Sequence, residues 1–301
     1  MLRQAENKVK IEGILSETDL RYVNFERNGE TKEAIGGSIK VLVEQEINGK
    51  AEALEIPVHM FSTKYTKRGS LNPSYESIEK VMKEFVSIAS CGAKEQADKV
   101  RITSAEIVSN DFINQSGQIV TSPRIRSSFV SRAIGDFQPE ATFTTEFMIS
   151  SMNRVTASDG TEVDPPKLCI EAIIPQYGEK VDVIKFYANN PNVINSIEEY
   201  WEAGGCYRAV GRLNFTSTTQ TTIEEVDFGE PIKKQRTINV SEFVITGGSQ
   251  APLDDDFAFS IEDIRKAMAE RKERLESMKA KGSQKPTPAP AKKADKLDLG
   301  F

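Results

Sequence analysis

Cationic and aromatic side chains lie close together in five short stretches of the chain. These are Arg21, Tyr22 and Phe25; Lys64, Tyr65, Lys67 and Arg68; Arg124, Arg126, Phe129 and Arg132; Lys185 and Tyr187; and Tyr207, Arg208 and Arg212. Binding a single nucleic-acid strand requires cations that follow the phosphates and flat side chains on which bases stack. We therefore predict that these residues contact single-stranded DNA. The same contacts would suit RNA, because neither stacking nor phosphate contact distinguishes the sugar.

The spacing of the arginines places them on shared strand faces. Arg124 and Arg126 are separated by one residue, and Arg208 and Arg212 also fall at even spacing, so each pair projects from one side of a strand. Cations at alternate positions suit a phosphate backbone better than a protein core. The alternative is an ordinary solvated strand face for each arginine and core packing for each aromatic residue. Core packing is the prediction for Phe61, Phe186 and Trp201.

The sequence offers little support for catalysis. It has no Gly-x-x-x-x-Gly-Lys phosphate loop and no Gly-x-Ser-x-Gly nucleophile motif. The one histidine, His59, alternates with apolar residues, and the three cysteines are far apart. A zinc site needs several such ligands at fixed spacings. We therefore expect a binding protein rather than an enzyme, with no cofactor and no metal.

Two stretches of the chain repeat the same pattern. Residues 54–79 and 181–199 each read as an apolar strand ending in an aromatic residue, a polar turn, Asn-Pro, and a helix containing Ser-Ile-Glu. Asparagine caps a helix, and proline is tolerated in its first turn. A repeat of this length indicates two copies of one domain.

The elements around each copy predict a mainly β fold with short helices. Each copy reads as three strands, a helix and two further strands, which predicts two tandem five-stranded barrels. The expected division is residues 1–138 for the first barrel, 139–250 for the second, 251–281 for an acidic linker and amphipathic helix, and 282–301 for a disordered tail. The helix is predicted to begin after Ser260 and to carry an apolar stripe from Ile261 to Met278, broken by Arg271.

This order of strands and helix resembles the oligonucleotide/oligosaccharide-binding (OB) fold. The whole chain resembles single-stranded DNA-binding proteins of phages and mobile elements. That resemblance implies a non-enzymatic role in DNA replication or recombination. The tail resembles the terminal tip with which bacterial single-stranded DNA-binding proteins recruit replication and repair partners. By matching position, Asp298, Leu299 and Phe301 would bind the partner.

Charge and location set further expectations. The formal net charge is −6, which favours an alternative: a structural or assembly protein, such as a virion or adaptor component, whose barrels contact other proteins. A basic groove can nevertheless occur on an acidic protein. The sequence shows no signal-peptide core or long apolar run. We expect a cytoplasmic protein, located in the bacterial host if phage-encoded, without membrane contact.

Deleting Leu297 to Phe301 tests the role of the tail. We expect the truncated chain to bind single-stranded DNA as before and to lose partner recruitment, measured by pull-down of replication and recombination proteins. A pull-down unchanged by the deletion would refute the recruiting role.

Overall fold

The computed structural model describes residues 2–27, 29–47, 50–114, 116–224, 232–254 and 256–282. Asn48-Gly49, between two alternating runs, predicts a hairpin turn. This turn and the predicted tail, with Asp298, Leu299 and Phe301, lie outside the described residues. No helix in the described ranges has both the length and the apolar character needed to cross a membrane.

The first barrel contains five principal strands. They are β1 (Asn7–Arg27), β2 (Glu30–Ile47), β3 (Lys50–Thr63), β4 (Lys99–Ile113) and β5 (Ile119–Arg126). Strands β1, β2 and β3 form an antiparallel meander; β4 pairs with both β1 and β5, and β5 closes the barrel by running parallel to β3. Helices α1 (Pro73–Glu84) and α2 (Ile88–Cys91) connect β3 to β4, and the two-residue strand β6 (Ser131–Arg132) pairs with β4.

The second barrel repeats this pairing. Its elements are β7 (Glu140–Arg154), β8 (Leu168–Gln176), β9 (Lys180–Ala188), α3 (Pro191–Tyr200), β10 (Cys206–Glu224) and β11 (Ile232–Gly248). Again the first strand pairs with the second and fourth, and the fifth runs parallel to the third. Five strands with a helix after the third define the OB fold. The predicted fold class is confirmed: mainly β, two OB-like barrels and a C-terminal helix.

The barrel interiors are filled by alternate residues of each strand. In β3, Ile56, Val58 and Met60 are buried, whereas Phe61 is 53% exposed. Phe61 was predicted to be core, and that prediction is wrong because its side chain points out of the barrel. The predictions for Phe186 and Trp201 are confirmed, since both pack with Phe147 inside the second barrel.

The two barrels are joined by their first strands. Residues Asn7–Glu12 of β1 pair antiparallel with Glu140–Thr145 of β7. Each strand has a bulge, after Leu15 in β1 and after Ile149 in β7. Val9 lies six residues before the bulge in β1, and Phe143 lies six residues before the bulge in β7. These two equivalent residues are paired with each other across the junction. The barrels are therefore related by an approximate two-fold axis. All the strands form one sheet, so the division at residue 138 stays a prediction.

Helix α4 (Ile261–Gly282) packs across both barrels. It begins where predicted, with the Ser260 hydroxyl accepting a hydrogen bond from the Asp263 N–H at 3.2 Å. Ile264 and Ala267 are buried, but Ile261 is exposed, so the predicted stripe is wrong at its first residue. Arg271, predicted to interrupt the stripe, has a side chain that is only 10% exposed and forms an ion pair with Asp111 of β4 at 2.6 Å.

Two predicted elements end earlier than expected. The spacing of apolar residues from Pro73 to Ala89 predicts one helix, but the helix ends at Glu84 because Phe85 is extended and Ser87 caps the separate helix α2. Strand β5 ends at Arg126. The Ser127 hydroxyl accepts a hydrogen bond from the Phe129 N–H and donates one to the Phe129 carbonyl. The sequence pattern predicts one strand from Ile119 to Ala133 that would include Phe129, and that prediction is wrong for Phe129 because the local turn ends the strand.

The Asp111–Arg271 pair allows a test of how α4 is held. Replacing Asp111→Ala leaves the Arg271 guanidinium buried without its carboxylate, and we expect a loss of about 3 kcal/mol in unfolding free energy, measured by urea denaturation. Adding Arg271→Met to this variant should recover part of the loss. The matched control, Lys32→Ala, breaks an exposed pair with Glu30 and should leave the urea denaturation midpoint unchanged. Equal midpoints for Asp111→Ala and the control would contradict the prediction.

Candidate nucleic-acid interface

The outer surface of the first barrel brings together residues from four strands. Gly36 of β2 is in register with both Arg21 of β1 and Phe61 of β3, and His59 is in register with Arg126 of β5. Residues in register share a side of the sheet, and the buried residues Val58 and Met60 occupy the opposite side. We call this surface the barrel 1 face; it comprises Arg21, Phe25, His59, Phe61, Arg124 and Arg126.

An aromatic pair forms the centre of the barrel 1 face. The Phe61 ring packs against Gly36: a Cβ atom there would lie 2.9 Å from a Phe61 ring carbon. Phe25 flanks it with a centroid separation of 5.9 Å. The ring is held against the sheet while half of it stays accessible, which suits base stacking. Sequence reasoning missed Phe61, although its alternation with Met60 was a signal for an outward position.

Arg124, Arg126 and His59 lie beside this aromatic pair. Arg126 forms an ion pair with Glu106 at 2.8 Å, whereas Arg124 has no ion-pair partner within the described part of the chain. Burial lowers the pKa of His59 below its usual value, and the nearby Arg124 charge lowers it further. His59 is therefore largely neutral at pH 7, and the positive charge of this region comes from the arginines.

The barrel 1 face continues into a depression beyond the third strand. The depression has a volume of about 810 Å³ and is lined by Phe25, Lys64, Tyr65 and Lys67, among others. Tyr65 is 53% exposed, and the Lys64 ammonium lies 5.6 Å from its ring centroid. Lys64 also forms an ion pair with Glu33. Lys67 and the neighbouring Arg68 are exposed.

Tyr22 lies on the other side of the long β1–β2 hairpin. The polar residues around Tyr22 predict a segment that joins the first two strands, but β1 extends through Tyr22. Its hydroxyl donates a hydrogen bond to Glu79 of α1 at 2.6 Å. Tyr22, Glu33, Lys64 and Glu76 line a second depression, with a volume of about 490 Å³. Tyr22 is thus separated from the barrel 1 face, and its hydroxyl is already bound to a carboxylate.

Phe129 and Arg132 follow the barrel 1 face in sequence but differ in their surroundings. Phe129 is half exposed. The Arg132 guanidinium lies 4.3 Å from the Phe85 ring centroid and forms an ion pair with Asp98 at 2.8 Å. Arg132 therefore connects the loop to α1 and β4, and its charge is largely neutralised.

The candidate residues of the second barrel are mostly engaged in internal contacts. Tyr207 is 1% exposed and stacks on Trp201 at 5.0 Å. Its prediction as a base-stacking residue is wrong, because the ring fills the core beneath α3. Arg208 forms an ion pair with Glu6 at 2.9 Å across the barrel junction. Arg212 instead lines a cleft between the barrels.

The second barrel also lacks the arginines of the barrel 1 face. At the parallel closure, His59 and Arg126 correspond to Tyr187 and Val244, and the position of Arg124 is taken by Glu242. Tyr187 is half buried beneath the Lys167 ammonium, which lies 4.5 Å from its ring centroid and also pairs with Glu242. Lys185 is exposed, in register with Glu171. The most exposed combination of cations and aromatic rings therefore lies on the first barrel.

The single histidine of the chain makes the charge of this face measurable. Replacing Arg124→Gln removes the positive charge that lowers the His59 pKa, so we expect this pKa to rise toward its ordinary value, measured by NMR titration of the imidazole. Arg154→Gln, on the second barrel, is the control and should leave the titration unchanged. An identical His59 pKa in wild type and Arg124→Gln would place Arg124 away from His59.

Two solved structures of DNA-binding proteins are similar to this chain at low sequence identity. A deletion mutant of the single-stranded DNA-binding protein from Thermus aquaticus has a TM-score of 0.46 and 10% identity, covering 84% of this chain and 97% of its own. A Replication Protein A heterotrimer bound to ssDNA has a TM-score of 0.23 and 8% identity, covering 90% of this chain and 53% of its own. No curated protein matched. The YorF family model matches residues 5–281, and the chain therefore belongs to the YorF family.

Proposed function

We propose that this protein binds single-stranded DNA without strong sequence preference, mainly through the barrel 1 face. The observation that carries the proposal is the exposed Phe61 ring, supported by Gly36 and Phe25 and flanked by Arg21, Arg124 and Arg126. This surface spans four strands and includes the second and third strands of the barrel, the face on which OB folds bind oligonucleotides.

Affinity would come from two kinds of contact. Bases stack on Phe61 and, further along, on Tyr65, and this interaction tolerates any base because each has a flat face. Arg21, Arg124, Lys67 and Arg68 neutralise phosphates and release counterions, so binding should weaken steeply as salt rises. Neither contact reads a base edge, which is why little sequence preference is expected.

The proposal extends to a role and a partner. Coating exposed strands during DNA replication or recombination would leave the C-terminal segment available for recruitment. Asp298, Leu299 and Phe301 are the proposed partner-binding residues, in the cytoplasm of a bacterial host if the protein is phage-encoded. RNA is an alternative ligand of the same face, because the proposed contacts do not involve the sugar.

A second candidate function is an assembly protein that uses its barrels for protein contacts. The net charge of −6 favours it, as does the internal pairing of Arg126 with Glu106 and of Lys64 with Glu33. These pairs reduce the positive charge available to a polyanion. The exposed Phe61 ring is compatible with a protein partner as well, so binding must be measured directly.

Fluorescence anisotropy with labelled oligothymidine separates these two functions. We expect the protein to bind the single strand, to prefer it to duplex of equal length, and to lose affinity steeply across a salt series. No binding at low salt would overturn the proposal and favour the assembly function.

Substitutions on the barrel 1 face locate the site. The double variant Arg124→Ala and Arg126→Ala should weaken binding for every sequence and reduce the slope of log affinity against log salt by about two. Phe61→Ala should weaken binding about fivefold or more without changing that slope, because stacking is not ionic. Arg154→Ala, on the second barrel, is the matched control. Wild-type affinity in both barrel 1 variants would remove these residues from the site.

A further inference from the structure

A cleft separates the first barrel from the β8–β9 hairpin of the second. The hairpin reaches across the junction, and its Gln176 amide lies 3.4 Å from the Ile107 carbonyl of β4. The resulting space has a volume of about 400 Å³. Its cationic lining is Arg126 of β5, Lys180 of β9 and Arg274 of α4, and its aromatic lining is Tyr177. We call it the hairpin cleft.

We propose that the hairpin cleft is a second phosphate-binding subsite, through which a DNA strand bound on the barrel 1 face continues toward the second barrel. This inference rests on the proposed function. Arg126 belongs to both the barrel 1 face and the cleft, so the two surfaces are contiguous and a single strand can follow them.

The charges of the cleft support a phosphate ligand. Arg126, Lys180 and Arg274 come from three different elements and converge on one space. Lys180 has no ion-pair partner among the residues described. Arg274 lies 3.6 Å from an oxygen of Asp111, whose other oxygen is already bound by Arg271 at 2.6 Å. The charges of Lys180 and Arg274 are therefore only weakly compensated.

Two carboxylates also line the cleft, and both are engaged. Glu106 pairs with Arg126. Asp182 accepts a hydrogen bond from the Ser109 hydroxyl, and burial raises the pKa of Asp182 above its usual value. Because Arg126 and Glu106 compensate each other, the excess positive charge of the cleft comes from Lys180 and Arg274, which face the partly buried Asp182.

Tyr177 provides a stacking surface at the edge of the cleft. It is 84% exposed, next to Gly178 and Glu179, whose positive φ angles of 77° and 59° form the hairpin turn. Because it lies at this tight turn, the Tyr177 ring does not pack into the barrel core and stays accessible to a ligand. Its position beside three cations matches the combination that single-strand binding requires.

The related cleft on the other side of the approximate two-fold axis lacks these features. There the β2–β3 hairpin of the first barrel approaches the second barrel, and Glu46 and Arg212 line a space of about 660 Å³. Among the described residues, one cation and one carboxylate line it, with no aromatic side chain and no contribution from α4. Of the two clefts, as lined by the described residues, the hairpin cleft therefore carries more positive charge, on the same side as the barrel 1 face.

The length of the oligonucleotide distinguishes the cleft from the barrel 1 face. One OB barrel covers between about 4 and 16 nucleotides, so oligothymidines of about 8 and about 30 nucleotides probe the face alone and the face with the cleft. For Lys180→Ala with Arg274→Ala, we expect unchanged affinity for the short strand. For the long strand, we expect the salt slope to fall by about two and the low-salt affinity to fall about tenfold. Tyr177→Ala should weaken only the long strand, with the salt slope unchanged.

The control is Lys266→Ala with Lys272→Ala, which removes the same charge from exposed positions of α4 outside the cleft. Thermal unfolding of each variant checks that α4 stays in place. Wild-type binding of the long strand by the cleft variant, or an equal loss for both lengths, would overturn the subsite. If the wild-type protein binds neither strand, the proposed function itself fails. Binding of both strands with no effect of the cleft variant refutes the cleft alone.

Discussion

The pairing of β1 with β7 is the contact on which the rest of the architecture depends. It joins equivalent strands of two barrels antiparallel, with Val9 opposite Phe143, and so fixes their relative orientation. Arg208 with Glu6 and Arg3 with Glu146 form ion pairs beside this junction. The hairpins then project toward the opposite barrel and create two clefts, and α4 bridges both barrels on one side only. The pairing also occupies strand edges whose free N–H and C=O groups could otherwise pair with other chains.

Within this nearly symmetric framework, a few side chains make the barrels different. Positions occupied by Arg124 and Arg126 in the first barrel carry Glu242 and Val244 in the second. Tyr187 is shielded by Lys167, whereas Phe61 is open. The two copies of one fold therefore present different surfaces. The asymmetry is one of surface chemistry, because both barrels retain the same strand pairing.

An acidic protein can bind a polyanion only if its cations are placed locally, and this chain shows how many of them are used elsewhere. Arg101 makes a two-point contact with the buried Glu12, at 2.7 and 2.9 Å, and Arg132 pairs with Asp98. These arginines stabilise the barrels and contribute little to a surface potential. Counting the cations that lie near aromatic residues in the sequence therefore overestimates the number available to bind a ligand. The sequence does not show which of them form ion pairs with distant parts of the chain.

The sequence alone determined the elements whose causes are local. Strand alternation, the Asn-Pro helix starts, the repeat and the Ser260 cap are set by neighbouring residues, and they were enough to predict two OB-like barrels. Only the tertiary structure decided which of the candidate binding residues are exposed and lie on the same surface. Tyr207 and Phe61 both sit on strands, yet one is buried under α3 and the other is exposed over Gly36. Alternation defines which residues share a face, but strand register and the approach of distant elements decide what covers that face.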